Sequence, residues 1–221
     1  MLKFKHGILY ALALAGLVAL GAPAGASSVF DLNIISTANP PIANPGTLLG
    51  TVTLTQVGAN EVDVVVALMN ASFVSTGGPH NAFAFNLSDA PTSITITSPP
   101  TPLNFFSVGA SGSNTPFGAF TNVITCPGCG PGASNANAGP LSFAVTDLDG
   151  ISINDFIANA GGYFFSADVL GPSGGTGNIA SNGVSEAPLP AALPLFATGL
   201  GTMGLFGWWR KRKTRANVAT A

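Results

Sequence analysis

Residues 51–68 read TVTLTQVGANEVDVVVAL, and the period of their apolar residues decides the fold class. In Thr51–Thr55, Val52 and Leu54 fall on one face and the threonines on the other, the two-residue repeat of a half-buried strand. Glu61–Leu68 repeats the pattern, with Val62, Val64, Val66 and Leu68 in register. Phe83, Phe85 and Leu87 alternate again, as do Ile94 and Ile96 within Ser93–Thr97. Further strands are expected over residues 29–35, 103–108, 119–124, 141–146 and 162–170. Between them lie Gly, Pro, Asn and Ser clusters such as Gly77-Gly78-Pro79 and Pro99-Pro100. About nine short strands with this punctuation predict a mainly β fold, an antiparallel β-sandwich.

One short helix is expected to interrupt the strands. Ser152 with Asp155 three residues on makes a capping-box-like start, Phe156, Ile157 and Ala160 face inward, and Gly161-Gly162 ends it. Residues 171–187, rich in Gly, Ser and Asn, read as a flexible stalk.

Charge is sparse and segregated. Only 7% of the 221 residues are charged, and the seven basic ones are Lys3, Lys5, Arg210, Lys211, Arg212, Lys213 and Arg215. All nine acidic residues lie between Asp31 and Glu186, and no lysine or arginine occurs from Ser27 to Trp209. Such a body has no cation to neutralise a phosphate backbone, which argues against nucleic-acid binding.

The two ends explain the basic clusters. Lys3 and Lys5 precede an apolar run from Ile8 to Leu20 and then Ala24-Gly25-Ala26, the three-part order of a secretory signal peptide over residues 1–26. Cleavage is expected after Ala26, with Ala24 as the alternative. At the other end, Leu189–Trp209 is uncharged and mostly apolar, and as a helix it would span about 31 Å, matching a hydrocarbon core of about 30 Å. Trp208 and Trp209 suit the interface, and the basic residues 210–215 mark the cytoplasmic side, which leaves the body facing outward. Gly199-x-Gly201-x-x-Gly204 matches a dinucleotide fingerprint in spacing only. The strand and βαβ context that fingerprint requires are missing, and glycine is common in membrane helices.

Pro188-Leu189-Pro190, an apolar helix and then Arg210-Lys-Arg-Lys213 resemble the PEP-CTERM protein-sorting tail, also labelled an ice-binding protein C-terminal domain. The usual Pro-Glu-Pro is here Pro-Leu-Pro. The resemblance implies export, anchoring by a membrane helix at about 191–209, and processing near Pro188–Pro190 by an exosortase-like enzyme, in bacteria that build exopolysaccharide and biofilm. The expected organisation is a signal peptide (1–26), an exported domain (27–170), a stalk (171–187) and a sorting tail (188–215). The expected protein is a non-enzymatic surface or extracellular-matrix component. The alternatives are a carbohydrate- or calcium-binding lectin-like sandwich and, behind it, an exported hydrolase.

Within the body, Cys126-Pro-Gly-Cys129 reads first as a disulfide, since exported cysteines meet an oxidising compartment. Free or metal-bound thiols and redox chemistry are the alternatives, although Gly130-Pro-Gly after the pair favours a turn over a redox helix. Asp147-Leu-Asp149-Gly150 offers alternating oxygen ligands suited to calcium, but Ile151 occupies the third ligand position and no glutamate closes the loop, so an Asp-Gly turn competes. His80, the only histidine of the body, falls in the turn Gly77-Gly-Pro-His-Asn81, and no Gly-x-Ser-x-Gly elbow accompanies it. No cofactor or catalytic residue is expected.

Overall fold

A computed structural model describes residues 25–97 and 105–186. The signal peptide residues through Ala24, the Pro188–Pro190 motif, the expected membrane helix and the basic residues 210–215 lie outside the described residues. Among those described, no helix is long and apolar enough to cross a membrane.

The described residues form two large antiparallel sheets around a common core, with a two-stranded ribbon, Gly112–Ser113 and Ala119–Phe120, beside them. The first has the order Val184–Glu186, Ser27–Leu32, Gly50–Gly58, Glu61–Leu68, Leu141–Thr146, Ser93–Ile96. Its centre is the segment quoted above. Gly50–Gly58 pairs with Glu61–Leu68 from Gly50↔Leu68 to Gly58↔Glu61, so that Val52 and Leu54 meet Val66 and Val64 on one face. Those four side chains are fully buried. The second sheet runs Gly132–Asn137, Ser72–Ser75, Phe165–Leu170, Phe83–Leu87, Asn122–Thr125, Ser107–Gly109. Thr176–Ser181 pairs along the other edge of Phe165–Leu170 and in turn holds the short strand Ile34–Ile35.

Phenylalanines join the two sheets. Phe83 and Phe85 of the second sheet contact Phe143 of the first at 5.9 and 5.4 Å between ring centroids, and Phe30 meets Phe165 edge to face at 4.8 Å. Aromatic pairs in such geometries add roughly 0.5–1.5 kcal/mol beyond the area they bury.

The expected helix is a single 3₁₀ turn, Ile153–Asp155. Its capping box is present. The Ser152 hydroxyl accepts from the chain ahead of it, and the Asp155 carboxylate accepts from Ser152 N at 2.7 Å. The helix stops because Phe156 is drawn into the core beside Phe85 and Phe165, and its strand, Phe156–Ile157, pairs with Phe83–Leu87. Ile153, Asn154 and Ile157 have too little helix propensity to resist that capture.

Residues 171–186 are not a stalk. They hold the strands Thr176–Ser181 and Val184–Glu186, and Ile179 lies in the core. The glycines serve close packing: a Cβ at Gly171 or Gly175 would collide with the backbone carbonyls of Ile42 or Pro40. A composition suited to flexibility here lets two backbones touch.

The two outer faces differ. On the first sheet, Val29, Thr53, Val65 and Ser142 form one cross-strand row, and Ser27, Thr55, Asp63, Ala144 and Thr95 form another. Most of these short side chains are partly or well exposed, with Val65 at 38%, while Ala144 is covered by its neighbours. The outer face of the second sheet is roofed by loops. Ala84, Val123 and Phe120 pack there with Tyr163 in a satellite cluster, and Phe117 stands edge-on to Tyr163 at 4.9 Å.

Candidate functional site

The roofed face carries the most unusual chemistry of the described residues. Along Phe165–Leu170, the inner side chains Phe165, Ala167 and Val169 alternate with Ser166 and Asp168 on the outer face. Across the register, Ser166 stands opposite Ala180 and Asp168 opposite Asn178. Ser166, Asp168 and Asn178 are each 0% exposed, because loops close over them.

The covering loop has a topological cause. Strand Phe165–Leu170 pairs with Phe83–Leu87 at its start, through Phe165↔Phe85 and Ser166↔Ala84. On the same edge it pairs with Ser72–Ser75 at its end, through Val169↔Phe73 and Leu170↔Ser72. The chain between those partners, 76–82, must leave the sheet and return beside Asp168. Gly77 and Gly78, at φ 82° and 63°, supply the left-handed backbone that this excursion needs. Asp168 N, left without a strand partner there, donates to Asn81 O.

One half of the buried polar layer is complete. Asn114 Oδ1 accepts from Asn81 N at 2.7 Å and from Asn81 Nδ2 at 3.1 Å. Asn114 Nδ2 donates to Asn81 O and Ser166 Oγ, whose hydroxyl donates to Ile179 O at 2.9 Å. The other half lacks donors. Asp168 Oδ2 accepts from Thr76 N at 3.0 Å and from the Thr76 hydroxyl at 2.7 Å. Asn178 Nδ2 donates to Thr115 O at 2.7 Å and lies 2.8 Å from His80 Nδ1. A carbonyl can only accept, so Thr115 O fixes which end of the amide is nitrogen. Its other N–H then makes His80 Nδ1 an acceptor and places the proton of the neutral ring on Nε2. Asp168 Oδ1 and Asn178 Oδ1 remain the buried side-chain oxygens without a hydrogen-bond partner among the described residues.

His80 Nδ1 stands 4.0 Å from Asp168 Oδ1, and its side chain is 26% exposed. Burial raises the Asp168 carboxyl above its ordinary value, and the two Thr76 hydrogen bonds and His80 offset part of that rise. Sequence reading singled out His80 alone. Asp168 was hidden by its strand's alternation, which assigns polar residues to solvent, and Asn178 by a Gly-, Ser- and Asn-rich stretch that reads as a stalk.

The other sequence-derived candidates are placed as follows. Cys126 and Cys129 are joined as a disulfide around the 3₁₀ turn Pro127–Cys129 and are buried, with Cys129 Sγ beside Phe73 O at 3.4 Å. In the Asp147–Gly150 turn, Asp147 Oδ1 accepts from Asp149 N at 3.0 Å, and Gly150 N donates to Asp147 O. Asn60 clamps it by donating to the carbonyls of Asp147 and Leu148. Asp147, Asp89 and Asp155 line a cleft of about 60 Å³, which Asp149 does not reach. That is room for one or two waters, far below the roughly 300 Å³ at which small-molecule pockets begin. No group of three His, Cys, Asp or Glu side chains able to hold a metal is found among the described residues. Ala26 lies just ahead of the first strand, with its carbonyl accepting from Gln56 N.

The chain matches no protein-family model, no curated protein and no solved structure.

Proposed function

We propose that this chain is an exported, non-enzymatic cell-surface or extracellular-matrix protein, delivered by a PEP-CTERM-like tail and processed by an exosortase-like partner. The carrying observation is the charge segregation. Basic clusters flank apolar runs at both ends, and no lysine or arginine occurs between Ser27 and Trp209. The fold supports this reading. Its first strand, Ser27–Leu32, pairs with its last, Val184–Glu186, so the sorting segment follows directly from an edge of a sheet whose open face carries hydroxyls and small side chains. Such a face suits display within exopolysaccharide.

Mass spectrometry of the protein from membrane and medium tests this. The released form is expected to begin at Ser27 and to end near Pro190. A released form still carrying Trp208 and Trp209 would refute processing, and an uncleaved amino terminus in the cytoplasm would refute export.

A further inference from the structure

Because residues 171–186 belong to the sheets, little chain is left to hold the body away from a membrane. Val184–Glu186 runs antiparallel to Ser27–Leu32, with Glu186 beside Val29, and Val29 in turn lies beside Thr53. The chain therefore leaves Glu186 heading for the end of the first sheet where Gly50–Gly58 turns into Glu61–Leu68. Val57 at that end is four residues beyond Thr53, about 13 Å at 3.3 Å per residue. Residues 187–190, which precede the expected membrane helix, reach about 14 Å at most when fully extended. A bend among them only brings the lipid closer. A helix starting at about 191 thus puts this end of the sheet within the headgroup layer, about 5–7 Å deep on each side of the hydrocarbon.

Two turns form that end. Asn60 donates to Asp147 O at 2.7 Å and to Leu148 O at 2.9 Å, and Ile151 N donates to Ala59 O. Leu148 N donates to the Thr92 hydroxyl at 3.1 Å. The turn is fixed through its backbone, and the Leu148 side chain is left in water. The two most exposed large apolar side chains of the described residues stand here, Leu148 at 81% and Val57 at 57%. Single exposed apolar residues are ordinary, but these two share the end that chain length brings to the lipid. Glu61, Asp147 and Asp149 flank them, and the body holds no lysine or arginine to offset those carboxylates.

We propose that the Val57–Asn60 and Asp147–Gly150 turns are a docking surface for zwitterionic lipid headgroups, into which Leu148 and Val57 dip while the tail is attached. This rests on the anchored, exported form proposed above. Headgroup ammonium groups donate to the carboxylates, whereas anionic headgroups are repelled by them. Two aliphatic side chains grip a bilayer more weakly than a single acyl chain, which is itself marginal. The contact therefore lasts only while the tail holds the chain, and processing frees the body.

The test uses the full chain in vesicles of phosphatidylethanolamine and phosphatidylcholine, with a polarity-sensitive dye on Leu148→Cys, Val57→Cys or Met69→Cys. The native cysteines are buried as a disulfide, so only the introduced thiol labels. Met69, 42% exposed, lies at the opposite end of the same strands and serves as the control. Dyes at 148 and 57 should shift to the blue and be quenched by headgroup-labelled lipid, while the dye at 69 stays in water. Added phosphatidylglycerol should weaken the quenching. A chain that floats with the vesicles while all three dyes report water would overturn the docking surface and leave the anchor standing. A chain that does not float would overturn both. Shielding at 148 without lipid quenching would give this end to a second copy of the chain, and stronger quenching in anionic vesicles would refute the headgroup assignment.

Discussion

The strands Gly50–Gly58 and Phe165–Leu170 carry the same kind of alternation and meet opposite surroundings. Thr51, Thr53 and Thr55 face outward from the first sheet and remain half-exposed. Ser166 and Asp168 face outward from the second and are fully buried. A period of two divides a strand into faces, but it does not say whether water lies beyond each face. The second sheet's outer face is sealed because two short strands share one edge of Phe165–Leu170 and the chain between them must cross over it. Its polar residues therefore had to find partners within the protein, and among the described residues all but two buried side-chain oxygens did.

Removing the keystone of the roof is the largest test of this contrast. Asn114→Ala leaves Asn81 N without a partner and removes one of the two donors to Asn81 O and the donor to Ser166 Oγ, and should cost about 2–3 kcal/mol in urea unfolding. A loss below about 0.5 kcal/mol would mean that the roof holds without it.

The disulfide ties the turn between Asn122–Thr125 and Gly132–Asn137 at the margin of the same sheet. Replacing Cys126 and Cys129 together by alanine removes the closure of a very short loop, with an expected loss of about 2 kcal/mol. Because both sulfurs are buried, mild reductant should leave the folded protein oxidised. Rapid thiol labelling of the native protein would contradict the placement.

On the open face the expected effect is smallest. Thr53→Ala should change stability by less than about 0.5 kcal/mol, since its hydroxyl side is solvated in both states. A loss comparable to that of Asn114→Ala would erase the distinction between the faces and point to a partner layer on the first sheet.

Much of the antiparallel β fold was legible because its inner faces are written in period two. Val52, Leu54, Val62, Val64 and Val66, and Phe83, Phe85 and Leu87, are buried as their spacing requires. Strands that the pattern missed lack that signature. Gly132–Asn137 is GASNAN, with no large apolar side chain, and pairs as an edge beside Ser72–Ser75. Thr176–Ser181 sits in a glycine-rich stretch whose composition suggests a linker, yet those glycines admit the backbone of Pro40–Ile42. The helix expected after Ser152 failed for a related reason: the capping signal was sound, but one turn later Phe156 had a core to enter.

The candidate site shows the same division. Sequence alone determined that the body is strand-rich, that it contains one histidine and no fixed cation, and that its cysteines stand close enough to pair. These follow from local spacing and composition. Only the tertiary structure decided that Asp168 and Asn178 would be buried opposite one another beneath His80. That depends on which strands share an edge and where the loop between them must pass, a long-range outcome of chain connectivity that neither local period nor composition encodes.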